Sequence, residues 1–176
     1  MNKELKAGMV AGVIGKGFSS VVTENVQRKA KELYGFSDKD CMITHVAPII
    51  HPRGTILEMT HKGPRFNNLR NCVQYRLFDC PVLDDEQRKE FGYKAFELSH
   101  IENLDAMMRY DYLRLASQWF IANGMPYEVD AKGRDICSEF YFHIMVAIGV
   151  PLPTECMYPA ILGVLARSGT LMEIEQ

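Results

Sequence analysis

The strongest constraint on this chain is an almost continuously apolar run at residues 136–150, which begins Ile136-Cys137-Ser138-Glu139-Phe140 and ends at Gly149 before the breakers Pro151 and Pro153. Its length favours a buried helix over a strand. With 176 residues, 47% of them hydrophobic and 24% charged, the chain has enough apolar material for one globular domain with a core around such a helix.

The flanking segments supply strands and further helices. Residues 9–14 (Met-Val-Ala-Gly-Val-Ile) read as a buried strand. Gly15-Lys16-Gly17 turns it into a helix capped by Ser19 or Ser20 and running through Lys31. Residues 42–50 and 55–60 are β-rich and flank the turn chemistry of His51-Pro52-Arg53-Gly54, which predicts a β-hairpin. A third strand is expected over 73–78. After Cys80-Pro81 the pattern becomes helical, with Asp84-Asp85-Glu86 as a negative first turn.

Beyond Asn103 or Asp105, Met108, Tyr112, Leu115, Ala116, Trp119 and Phe120 recur at helical spacing up to Asn123-Gly124. A short helix near 158–166 and a strand over 170–174 complete one α+β domain spanning 1–176.

Charge excludes some functions. The 20 basic and 22 acidic residues nearly cancel and are scattered along the chain, so no electrostatic footprint for nucleic acid or an anionic membrane is present. The Gly-rich stretch of residues 8–17 is too short to span a bilayer and lacks the form of a signal peptide; a cytoplasmic protein without a transmembrane segment is expected. Five irregularly spaced cysteines include no CxxC pair, and the five histidines show no ligand spacing. Neither a disulfide framework, nor zinc, nor another cofactor is expected.

Chemistry concentrates at Cys137, which opens the predicted buried helix. The positive end of a helix dipole and the backbone N–H groups there favour thiolate over thiol, and the same groups can hold a developing oxyanion. Cys41, Cys72, Cys80 and Cys156 read instead as structural thiols. A thiolate nucleophile needs a base fixed by a third polar group. His45 sits among strand residues, and Glu58 lies on the next strand, where a hairpin can bring the two to one face. His61 is a rival third member. His51 and His100 read as loop or helix-end residues, and His143 as a hydrogen-bonded core residue.

The ordered set Gly8-Met-Val, Gly15-Lys-Gly-Phe-Ser, Thr44-His45-Val, Gly54-Thr-Ile-Leu-Glu58, Pro126-Tyr127 and Cys137-Ser-Glu-Phe resembles the circularly permuted papain-like enzymes of the NlpC-type superfamily, the YiiX-like branch. In that family the histidine precedes the cysteine, as His45 precedes Cys137 here. The resemblance implies Cys137 as nucleophile, His45 as base, Glu58 as the residue that orients it, and Tyr127 as a residue lining the oxyanion site. Where the family carries a hydrophobic-Gly pair after its histidine, this chain has Val46-Ala47-Pro48, and Pro48 suggests an edge strand or a bulge.

The expected reaction is nucleophilic acyl transfer on a peptide-like amide or an acyl ester, through a thioester resolved by water. The competing readings are a lipid acyltransferase or thioesterase on the same fold, and a binding module that has lost catalysis. A P-loop is excluded, because Gly12-Val-Ile-Gly-Lys-Gly lacks the GxxxxGK[ST] pattern; GxGxxG fails at Ser20.

Overall fold

Alternation of side chains along each strand divides the molecule into two apolar layers on either side of one sheet. Val10, Val46, Leu57 and Phe78 face one way, while their chain neighbours Ala11, Ala47, Ile56 and Leu77 face the other. The computed structural model describes residues 4–60, 63–104, 117, 120, 121, 123–125, 137–153 and 158–175, with the side chains of 101–104 excepted.

The described strands are β1 (Val10–Val13), β2 (His45–His51), β3 (Thr55–Thr60), β4 (Gly63–Asn68), β5 (Tyr75–Asp79) and β6 (Met172–Ile174). They form a six-stranded antiparallel sheet in the order β4-β3-β2-β1-β5-β6. The helices are α1 (Phe18–Lys29), α2 (Lys31–Tyr34), α3 (Asp38–Cys41), α4 (Asp85–Leu104), α5 (Cys137–Ala147) and α6 (Ile161–Arg167). The architecture is α+β. The larger core lies between sheet and helices, where Phe140, Tyr141, Ile144 and Met145 of α5 meet Val46, Leu57 and Phe78. The smaller core, on the opposite face, is joined by Leu5, Leu69 and Cys72.

The predicted hairpin forms as β2 and β3 around His51-Pro52-Arg53-Gly54. Strand β2 begins later than expected, because Ser37 and Asp40 form a reciprocal capping box that winds residues 38–41 into α3, leaving Met42 as its C-cap. Pro48 lies in an interior strand, paired with Val10, and the irregularity it foreshadows is a register shift between Ile49 and His51. Helix α1 starts two or three residues earlier than Ser19 or Ser20 as cap would place it. Gly17 is its N-cap and has no side chain to bond the first turn; two residues earlier the turn is built by close approach, since a Cβ on Gly15 would overlap Ser20 Oγ.

The α5 helix matches the apolar run, with eight of its residues buried from Cys137 to Met145. His143 departs from the expected core position. It shares an exposed helix face with Val146 and Ala147, three and four residues on, so the helix is not enclosed all round. Strand β4 has no counterpart among the strands that the sequence predicts. Its sequence Gly-Pro-Arg-Phe-Asn-Asn has no apolar alternation, and it is a strand because it pairs in register with β3 from Thr55↔Asn68 to Thr60↔Gly63. The helical spacing around Met108 to Phe120 falls largely outside the described residues.

Among the described residues no helix is long and apolar enough to cross a membrane. No group of three or more His, Cys, Asp or Glu side chains among them is placed to hold a metal ion.

Candidate functional site

The start of β2 is pinned before any chemistry is considered. Thr44 N–H donates to Val13 O at 3.0 Å, and Gly15 N–H donates to Thr44 Oγ1 at 3.1 Å, so the turn after β1 and the entry to β2 lock together. Gln27 of α1, wholly buried, donates from Nε2 to Cys41 O at 2.9 Å and to Ile43 O at 2.8 Å, fixing the residues just ahead of β2. His45 follows, in register with Val13. Its backbone is therefore held against β1 and by the fixed residues that precede it.

Cys137 is the first described residue of α5 and is 1% exposed. A side-chain hydrogen bond joins it to His45, so α5 meets the first residue of β2 there. Glu58 is the third member: its Oε1 lies 3.8 Å from His45 Nε2, with side-chain exposures of 16% and 24% respectively. Burial by itself would lower the imidazole's pKa. The charge of the Cys137 thiolate, the hydrogen bond to it and the Glu58 carboxylate outweigh that effect and raise His45 above its ordinary value. The arrangement favours the protonated form of the imidazole.

Glu58 is itself held. Asn67, on β4, donates from Nδ2 to Glu58 Oε2 at 2.9 Å. Asn67 Oδ1 accepts from Asn68 N–H and from Asn71 Nδ2, both at 2.8 Å. Asn71 ends the 3₁₀ turn Leu69–Asn71 that follows β4. Cys72, next in the chain, is half-buried rather than enclosed like Cys41 and Cys80. Its thiol pKa is pushed up by burial and by the negative charge of Glu58, so Cys72 belongs to the same neighbourhood as a protonated thiol.

Of the residues singled out in the sequence, Cys137, His45 and Glu58 come together. Tyr127, His61 and Cys156 lie outside the described residues. His51 is remote, at the far end of β2, where its Nδ1 accepts from Arg53 N–H at 3.2 Å; His100 stacks on Phe96 in α4. Asn67 and Asn71 carried no sequence signal beyond turn-like polarity. They join the site only through the β3–β4 pairing. No family model and no curated protein matches the chain.

Proposed function

We propose that this chain is a cysteine-nucleophile hydrolase of the permuted papain-like, NlpC-type fold, acting on an amide or ester carbonyl. The observation that supports it best is the Cys137–His45 hydrogen bond at the start of α5, with the Glu58 carboxylate 3.8 Å from the same imidazole. An adjacent imidazolium favours the thiolate, as does the helix-start position that the sequence predicts for Cys137.

In this reading the Cys137 sulfur attacks the carbonyl carbon and its electron pair forms the C–S bond, while the carbonyl π electrons move to oxygen. Collapse of the tetrahedral intermediate expels the amine or alkoxide, which takes its proton from His45. His45, now neutral, removes a proton from water as water attacks the thioester. Collapse of the second tetrahedral intermediate breaks the C–S bond with its electrons returning to sulfur, releases the carboxylic acid product and restores the thiolate–imidazolium pair. Glu58 keeps the ring oriented and stabilises its positive form.

The test separates activation from accessibility. Cys72 is half-buried while Cys137 is buried, so accessibility alone makes Cys72 the faster thiol towards iodoacetamide. The proposal expects the reverse at about pH 5.5, where ordinary thiols are protonated. It also expects His45→Ala to slow Cys137 labelling by roughly 10²- to 10⁴-fold. Peptide mapping by mass spectrometry after timed labelling reads both. Labelling of Cys137 no faster than Cys72, or an unchanged rate in His45→Ala, would leave a binding module as the better reading.

A further inference from the structure

The geometry points to Asn67 as a positioning residue of the proposed site, clamping one oxygen of Glu58 so that the other is presented to His45. The inference rests on the Cys137–His45–Glu58 reading and adds a fourth residue to it.

A carboxylate on a strand has a free terminal torsion, and a single ion-pair contact at 3.8 Å does not fix it. Here the second oxygen is fixed separately. Asn67 Nδ2 holds Oε2 at 2.9 Å, leaving Oε1 towards Nε2 of His45. The assignment of amide nitrogen and oxygen is settled by the surroundings, because Asn67's other terminal atom receives two donors, Asn68 N–H and Asn71 Nδ2. Only an oxygen can accept both, so the NH₂ group must face Glu58.

The support is rigid. Asn67 stands opposite Ile56 while Glu58 stands opposite Arg65, which places Asn67 and Glu58 on one face of adjacent strands at diagonal positions. Asn71 is held by the 3₁₀ turn that Asn68 caps through Arg70 N–H at 3.1 Å. Hydrogen bonds that feed one another in this way stiffen the whole chain from Asn71 to His45. Among the described residues, the titratable groups around the carboxylate are His45 on β2, Arg65 opposite on β4 and Cys72 after the turn.

The test uses the full chain as wild type, Asn67→Ala, Glu58→Gln and the double variant, with His45 followed by NMR titration and Cys137 by alkylation rate. Asn67→Ala is expected to lower the pH at which His45 titrates and to slow Cys137 alkylation by about tenfold, the scale of one hydrogen bond to a charged group. In the Glu58→Gln background it is expected to add nothing, because the group it acts through has lost its charge. Asn71→Ala, which frees the Asn67 amide to rotate, shifts the same titration in the same direction by less. It also serves as the readout if Asn67→Ala fails to fold.

An unmoved or upward-shifted His45 titration in Asn67→Ala, or an effect that adds fully to that of Glu58→Gln, overturns the role of Asn67 while leaving the triad reading in place. If Glu58→Gln and His45→Ala themselves leave Cys137 reactivity unchanged, the triad reading falls and the role of Asn67 falls with it.

Discussion

His45 Nε2 stands 3.8 Å from Glu58 Oε1 across adjacent antiparallel strands, and the same imidazole is bonded to the Cys137 thiol. One ring thus faces a carboxylate and a sulfur. Both act in the same direction on its protonation, and together they overcome the burial that opposes it.

Replacing Glu58 with Gln removes one of the groups that raise His45. Because the folded-state pKa of His45 is raised, the stabilisation it gives is fully present below the unfolded value near 6.5 and is lost as pH rises through the folded value. Glu58→Gln is therefore expected to move the alkaline limb of the pH–activity profile to lower pH. Activity near neutrality should fall by roughly 10- to 100-fold, the scale of losing an outer-shell partner. A pH–rate profile of ester hydrolysis checks this, and an alkaline limb that stays in place counts against the role given to Glu58.

Asp40 carries the second charged cluster, remote in sequence from its partners. Wholly buried, it accepts from Ser37 N–H at 2.8 Å, from Arg76 Nη1 at 2.9 Å and from Arg167 Nη1. Arg76 in turn grips Glu173 of β6 through two bonds of 2.7 Å. The Cα of Gly163 packs against the Asp40 carboxylate where any Cβ would overlap Oδ1, so α6 can dock only with glycine there. Burial pushes the Asp40 pKa up, but the Ser37 bonds and the two guanidinium groups pull it below the usual carboxylate range; Arg76 does the same for Glu173.

Depressed carboxylates stabilise the fold above their unfolded pKa, and that contribution is lost as pH falls through the folded values. Asp40→Asn is expected to cost about 3 kcal/mol at pH 7 by removing the buried charge that Arg76 and Arg167 share, leaving Arg76 with Glu173 alone, and to flatten the loss of stability below about pH 4. Urea unfolding at stepped pH measures both. Equal acid sensitivity in wild type and variant would show that other carboxylates set the acid limit.

Gln27 is a neutral counterpart. Besides its two bonds to Cys41 O and Ile43 O, its Oε1 accepts from Ala160 N–H at 2.8 Å, so one side chain ties α1, the entry to β2 and the start of α6 together. Gln27→Leu keeps the approximate shape and leaves three buried backbone groups without that partner. Each such loss costs on the order of 1–3 kcal/mol before relaxation. A net loss of about 3 kcal/mol in chemical denaturation is expected; a loss within about 0.5 kcal/mol, typical of surface changes, would show that the backbone finds other partners.

Much of the framework was legible in the chain itself. The apolar run after Asp135 forms α5, the His51-Pro52-Arg53-Gly54 signal forms the β2–β3 turn, and the acidic start after Cys80-Pro81 forms α4. These are determined by neighbouring residues, through periodicity, turn conformation and helix-end charge, so sequence alone suffices. What tertiary structure decided is which polar groups meet. Strand β4 exists through its pairing with β3, and that pairing delivers Asn67 to Glu58. Asp40 meets guanidinium groups 36 and 127 residues away in sequence, and His143 lies on the exposed face of α5 with Val146 and Ala147. Such contacts depend on chain closure over long distances, where desolvation and geometry select the partners and no local pattern records the choice.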